Sequence, residues 1–553
     1  MKEIFKSITK AEWLTVFGLS LLMIFITTLP LIYGWLITPP DKIFTGIHFA
    51  ALNDWFVYYS YLEQVRQGHF LFSDLFSSQP GLAVLNPFWL GVGLFAKIFG
   101  LSNLLAFNLI RIILIPVFYF VAYLFLAYLF SETKKRKISL LLLSFSGGLG
   151  FFLFNQIIKY PYNFSDGRFN WPMDLWVPEF DTFLTLYYSP HFIASLILIL
   201  LVFLLTAIFA EKEKLLYGVW SGFAALVLFS FHPFHILTIF AVILVYLIYL
   251  MLVQKKWFWS YFWYYFILAA ISAPSIIYYL YLLKFDWLTS QKALQNLCFT
   301  TPFWLTVVSY GLILLFGILG IYNLFKEKLI FKKGLSKRLT LVFVWALVSF
   351  CLIYFPVNFQ RRLTEGLHFP LVVLATIGLF VVCQIIFSQK SKLSKFLFSQ
   401  RYVVLFFIVT LFIISNIFIL ATDLFIYADS RPWAYLDTGL IKAAGWLKAV
   451  DGDKVVFNSA ENVINVIPAY SGKRVYVGHG VETPNFKQKQ EEVNWFFTKN
   501  RSLDIEQSFL SKRNINYLIY GPAEKEIGNY QPEIKPYLKE VYRNEQVIVY
   551  QVL

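Results

Sequence analysis

Asp54 is the one charge in the run Phe49-Ala50-Ala51-Leu52-Asn53-Asp54-Trp55-Phe56-Val57-Tyr58-Tyr59. The run follows the first long apolar segment, where the chain first leaves a bilayer. A carboxylate among aromatics beside lipid costs free energy unless it is paired or used. Two uses fit. Asp54 caps the short amphipathic helix that follows, accepting from the amides at its start. Alternatively it is a general base at a wet cleft that opens beside lipid.

Histidines and arginines form the other candidate chemistry. The turn Phe231-His232-Pro233-Phe234-His235 has a His-x-x-His spacing that can hold a metal. With a proline inside it and no carboxylate nearby in sequence, substrate contact or turn chemistry is expected instead. No cofactor follows from these residues, and a divalent metal stays open. The loop Asn358-Phe359-Gln360-Arg361-Arg362-Leu363-Thr364-Glu365-Gly366-Leu367-His368 sets two arginines side by side. A guanidinium is a fork of donors suited to phosphate. The competing reading is an ion pair with Glu365, three or four residues on along a helical turn.

The elements that must carry these groups are membrane helices. The chain has 553 residues, 58% of them hydrophobic, 20% aromatic and 14% charged. Soluble chains are about 25% charged, so this composition predicts a polytopic membrane protein. The net charge of +15 needs no nucleic acid, because membrane proteins keep Lys and Arg at the cytoplasmic ends of their helices. Of the cysteines Cys298, Cys351 and Cys383, the last two fall in apolar segments. Neither a disulfide framework nor a cysteine metal site is expected.

Apolar runs long enough to span fall at 13–38, 104–130, 138–157, 190–210, 215–231, 236–253, 257–283, 302–325, 339–356, 369–388 and 402–422, about eleven in all. The first is too long for a signal-peptide core and reads as a retained span, kinked near Pro30. Basic clusters at Lys134–Lys137, Lys212 and Lys214, Lys255–Lys256, Lys326–Arg338 and Lys390–Arg401 all follow even-numbered spans. They place the N-terminus in the cytoplasm and the C-terminus outside. All thirteen aspartates and all seven histidines then fall on the outer side. The outer face is therefore the working face.

Three outer regions matter. In residues 39–103, a short helix is expected over 55–70, and 86–100 reads as a helix lying in or dipping into the interface. The loop 158–189 carries Asp166, Asp174, Glu179 and Asp181 and runs into Tyr187-Tyr188-Ser189-Pro190-His191-Phe192. Aromatics at that mouth suit an interfacial belt; Asp181 and His191 are the polar exceptions. Residues 423–553 have ordinary soluble composition. They predict a small α/β domain with a helix over 440–450 and strands over 454–458, 517–520 and 547–552. The organisation expected is thus mainly α, with a membrane domain over 1–422 and an extracytoplasmic α/β domain over 423–553.

Several stretches together resemble the GT-C superfamily of polytopic glycosyltransferases, which use polyprenyl-phosphate sugars. They are Asn53-Asp54 with Gln64 and Gly68, Asp181, Ser189-Pro190-His191, Gln360-Arg361-Arg362 and Glu365-Gly366-Leu367-His368. The run Ile467-Pro468-Ala469-Tyr470-Ser471-Gly472-Lys473-Arg474-Val475-Tyr476-Val477-Gly478-His479 is similar to bacterial members with an outer tail domain. The resemblance implies transfer of a hexosyl or pentosyl group from a polyprenyl-phosphate donor to a hydroxyl of a glycolipid, glycan or protein. The place implied is the outer face of the cytoplasmic membrane. It implies Asp54 as general base, Asp181 as a second acid or metal partner, and Arg361 and Arg362 on the donor phosphate. Glu365, His191, His232, His235 and His368 are implied as substrate contacts. A single displacement would invert the anomeric centre, and the tail would shape the acceptor entrance without sugar chemistry. Many members carry Asp-Glu where this chain has Asn53-Asp54, and a Trp-Trp-Asp motif is missing. Those departures, with no Asp-x-Asp near Asp54, weigh against oligosaccharyltransferase activity and against a bound divalent metal. A lipid-linked-sugar transporter or a non-catalytic scaffold presenting the tail are the alternatives.

Overall fold

The structure is a computed structural model. It describes residues 2–49, 54–157, 159, 168–255, 257–327, 335–459 and 465–553. Asn53, Asp166, Lys256 and the stretch 328–334 of the expected basic cluster lie outside the described residues. The chain forms two compact units. One comprises Met1–Pro30, Asn108–Tyr279 and Leu297–Thr422; the other comprises Leu31–Phe107, Leu280–Asn296 and Asp423–Leu553.

The protein is a multi-pass membrane protein, mainly helical, with a small α/β region at its C-terminus. Among the described residues nine helices are long and apolar enough to cross a bilayer, the first being Lys10–Leu36 and the last Arg401–Ala428. Each expected span contains helix, but two fall short of that measure. Leu216–Phe231 has 16 residues, which at 1.5 Å per residue reach only about 24 Å. Leu335–Leu352 starts on charge: Lys337 Nζ donates to the Ala210 carbonyl at 2.7 Å, and Arg338 Nε donates to Glu211 Oε1 at 2.6 Å.

The expected span 138–157 is broken. Its helix, Thr133–Phe145, stops, and a 3₁₀ turn takes over at Gly150–Leu153. The cause is close backbone approach. A Cβ on Gly148 would stand 1.8 Å from the Ser309 carbonyl oxygen. The freed amides find partners elsewhere: Gly147 N donates to Phe412 O at 2.7 Å and Leu149 N to Val308 O at 3.0 Å. Buried Asp174 completes the knot, accepting at Oδ2 from Gly150 N at 2.9 Å and Ser415 Oγ at 2.7 Å. Burial pushes the Asp174 carboxyl up to about 6.

Small residues let two of the spans touch. In Phe303–Lys326 and His368–Ser388, a Cβ on Gly320 would lie 2.0 Å from Leu374 O, and one on Gly378 would lie 2.0 Å from Phe316 O. Lipid supplies no hydrophobic drive between helices, so such contact is what holds them.

In the other unit the first outer region and the tail fold as one body. The short helix is Asp54–Arg66 and buries Trp55, Phe56, Tyr59, Leu62 and Val65. It ends sooner than expected because Gly68 turns the chain at φ 95°. Helix Pro87–Ile98 is capped by Asn86, whose Oδ1 accepts from Trp89 N at 3.2 Å. Strand β1 (Lys42–Phe44) pairs antiparallel with β2 (Tyr435–Asp437). A five-stranded sheet follows, from β3 (Val455–Phe457), β4 (Arg474–Val475), β5 (Tyr517–Tyr520), β6 (Leu538–Arg543) and β7 (Ile548–Val552), in the order β4-β3-β5-β7-β6. β3 runs parallel to β4 and β5; β7 is antiparallel to β5 and β6. Parallel neighbours need crossovers, and helices Ile467–Ser471, Phe486–Thr498 and Leu503–Lys512 supply them. β3 and β5 are buried on both faces, around a core that includes Phe457, Phe497, Leu510 and Leu518.

Gly378→Val is expected to force the two glycine-packed helices apart. The expected cost is about 1–3 kcal/mol, read as a lower thermal midpoint of the protein in detergent; Leu315→Ala, on an exposed position of the same helix pair, should leave the midpoint within error.

Candidate functional site

Asp54 opens its helix, where a negative charge is favourable. Its side chain is 47% exposed, so it is reachable from solvent. The approach to it is anchored by a fully buried pair: Asp423 Oδ2 lies 2.7 Å from His48 Nδ1, and Asp423 Oδ1 accepts from Phe49 N at 2.8 Å.

A residue of the tail reaches Asp54. His479 Nε2 stands 3.3 Å from Asp54 Oδ1, a polar contact rather than a formed hydrogen bond. The His479 tautomer follows from its other side. Val481 N and Glu482 N donate to Nδ1 at 3.2 and 3.1 Å. Nδ1 therefore carries the lone pair and Nε2 the proton, which faces the carboxylate. The turn holding His479 is itself fixed. Thr483 Oγ1 accepts from Gly478 N at 3.1 Å and donates to Phe76 O at 2.6 Å. Glu482 pairs with Lys292, which also lies 3.0 Å from Asp74.

The other residues of the resemblance in this unit are structural clamps. Gln64 grips Ser73 both ways, Nε2 donating to its carbonyl at 3.1 Å and Oε1 accepting from its amide at 2.8 Å. Gly472, at φ 68°, lies where a Cβ would meet the Gln67 amide at 2.4 Å.

In the first unit three of the expected contact residues converge. His235 Nε2 lies 2.7 Å from Glu365 Oε2 and 3.0 Å from His232 Nδ1; His232 Nδ1 lies 3.1 Å from Glu365 Oε2. All three side chains are buried, and among the described residues they form the one His/Cys/Asp/Glu group close enough to hold a metal ion. Burial pushes the Glu365 carboxyl up, but the two rings more than offset this and leave it below the usual carboxylate range. The carboxylate missing from the local sequence thus arrives from 130 residues away. His191 belongs to the same neighbourhood: its ring lies 5.5 Å from that of His232, and Ser189 Oγ is 2.7 Å from its Nδ1.

The arginine loop differs from the local ion pair considered above. Gln360–Thr364 is a 3₁₀ turn, and Glu365 leaves it for the histidines. Arg362 pairs with Glu179, Nη1 to Oε1 at 2.8 Å. Arg361 makes no ion pair among the described residues; its guanidinium lies over Trp176 and Phe169, 4.6 and 5.2 Å from the ring centres. Of the two, Arg361 is the cation left for an anion.

Asp181 is buried and caps the helix Thr182–Tyr188, Oδ1 accepting from Leu184 N at 2.8 Å. Burial pushes its carboxyl well above the usual range. His368 is not with the other histidines. It lies 2.9 Å from Thr182 Oγ1 and 3.2 Å from Ser146 Oγ, fixing the start of the capped helix. Tyr187 and Tyr188 are fully buried rather than belted at the interface.

By sequence, no family model and no curated protein matches the chain. Solved structures do. The oligosaccharyltransferase of Archaeoglobus fulgidus, tethered to an acceptor peptide, is similar at TM-score 0.51 and 14% identity, over 93% of this chain and 69% of that one. The arabinofuranosyltransferase AftD from mycobacteria is similar at TM-score 0.52 and 12% identity, over 98% of this chain and 42% of that one. The chain shares its fold with these membrane glycosyltransferase structures. At these identities the likeness is one of architecture, and the roles of GT-C site residues must be argued from this chain's own geometry. Three things lay beyond sequence reasoning. His479 stood in the quoted tail run without a role, while Glu179 and Thr182 reach their partners only through the fold.

Asp181→Asn preserves an acceptor for the cap and should unfold at the wild-type midpoint. Asp181→Ala should cost about 1 kcal/mol or more, visible as a lower thermal midpoint in detergent.

Proposed function

We propose that this protein is a membrane glycosyltransferase that moves a sugar from a polyprenyl-phosphate donor to an acceptor hydroxyl. The single observation that carries the reading is Asp54 within a GT-C fold: an accessible carboxylate with a fixed N–H beside it. As the acceptor oxygen attacks the anomeric carbon, Asp54 takes its proton. The bond from that carbon to the phosphate oxygen breaks, and negative charge grows on the leaving phosphate. Arg361, whose charge no carboxylate neutralises among the described residues, is assigned to that phosphate. One displacement inverts the anomeric centre. His479 is a positioning residue: its Nε2 lies 3.3 Å from Asp54, within polar contact of the base, while its Nδ1 is taken up by two backbone amides. Asp181, buried and committed to the helix cap, suits positioning better than proton abstraction.

A lipid phosphate donor is supported by one of the similar solved structures, AglB from Archaeoglobus fulgidus, which was solved with a dolichol-phosphate. We assign transfer to residues 1–422 and presentation of the acceptor to 423–553, on the outer face of the cytoplasmic membrane with the N-terminus inside. The basic clusters support that orientation. The acceptor we propose is a hydroxyl of a glycolipid, glycan or protein. A transporter would keep polar groups available at mid-span, and the main mid-span charge, Arg111, does not fit that. Arg111 is fully buried and spends its donors on Thr27, Thr28, Asn108 and the Leu186 carbonyl.

The test is transfer from labelled polyprenyl-phosphate sugars in membranes containing the protein. Asp54→Asn should lower transfer by about 10²–10⁴-fold while leaving donor binding intact; transfer near the wild-type rate would remove Asp54 as the base. Arg361→Ala should raise the KM for donor by about tenfold or more, with the acceptor KM unmoved. An equal rise in both would remove Arg361 from the phosphate.

A further inference from the structure

We propose that His232, His235 and Glu365 form a binding site for one borderline divalent cation of the Zn²⁺ class. The site rests on how the three ligand atoms meet. His232 Nδ1, His235 Nε2 and Glu365 Oε2 make a triangle with edges of 3.0, 2.7 and 3.1 Å. Hydrogen bonds cannot satisfy that triangle. Each ring nitrogen has one in-plane valence, which is either a proton or a lone pair. If both nitrogens donate to the carboxylate, two N–H groups face each other across 3.0 Å. If one accepts from the other, its lone pair faces the lone pairs of the ionised carboxylate. A cation at the centre resolves all three edges at once, because every atom then points a lone pair at positive charge.

The dimensions fit. A tetrahedral ion with bonds of about 2.0–2.1 Å holds its ligands about 3.3 Å apart. The observed edges need to open by only a few tenths of an ångström. Two imidazoles and one carboxylate suit Zn²⁺, Co²⁺ or Ni²⁺ and disfavour the oxygen-seeking Ca²⁺ and Mg²⁺. Glu365 Oε1 is buried without a hydrogen-bond partner, so the carboxylate has a second oxygen to offer. Ser195 Oγ, 3.3 Å from His232 Nδ1, is a further oxygen near the cluster. The ion would tie the turn His232–His235 to the loop that carries Arg361 and Arg362. This goes beyond the transfer chemistry and does not depend on it.

The experiment uses untagged full-length protein in detergent, stripped with a chelator and dialysed against Zn²⁺ or Co²⁺. Wild type should retain about one Zn²⁺ per chain by elemental analysis. The His235→Asn, Glu365→Gln double variant, checked for folding by gel filtration, should retain less than about a tenth of that. Added Zn²⁺ should raise the thermal midpoint of wild type and leave the variant unmoved. The Co²⁺ form of wild type should show the visible bands of four-coordinate cobalt, a readout that needs no variant. Wild type that keeps no stoichiometric ion and shows no such bands would overturn the site, as would a folded variant that binds as much as wild type.

Discussion

Lipid offers no hydrogen bonds, so a polar group at the rim of a bilayer must be satisfied by its own chain. That constraint organises this protein. Asp423 satisfies His48 and the Phe49 amide. Asp174 satisfies the backbone freed where the helix after Thr133 breaks. Glu179 satisfies Arg362, and Glu365 meets two histidines. Two groups stand apart in their surroundings: the Asp54 side chain is 47% exposed beside His479, and the Arg361 guanidinium lies over aromatic faces with no ion pair among the described residues. These are the groups to which the proposed function gives its chemistry.

The tail has a larger part than a simple cover. It supplies His479, whose proton position is set by two backbone amides of its own turn. That turn is locked by Thr483, by Glu482 on Lys292, and by Gln295, which donates to the Thr483 carbonyl at 2.9 Å. On the proposed function, this turn holds an N–H 3.3 Å from the Asp54 carboxylate, where it favours one placement of the base. Rigid support of this kind is how a site on a loop-rich surface attains the geometry that proton transfer requires.

Much of this was legible in the residues, and the limits are physical. Spans are legible because about 20 apolar residues must occur in a row, and each expected one contains helix, that over 138–157 being interrupted after Phe145. The break at Gly148 was not, because it is imposed by Ser309, which lies far along the chain. Asp54 announced itself as a lone acid beside lipid. Its partner did not, since only the docking of the tail brings His479 to it. The arginines look equivalent in sequence, and the fold separates them through Glu179, 183 residues from Arg362. The same holds for His232 and His235, whose spacing suggested metal chemistry while the needed carboxylate was out of local view.

Product stereochemistry tests the central claim most directly. The anomeric configuration of the sugar would be read by NMR in the product and compared with the polyprenyl-phosphate donor. A single displacement assisted by Asp54 requires inversion. Retention of configuration would contradict it, because retention needs a second nucleophile and a covalent intermediate that this account does not contain.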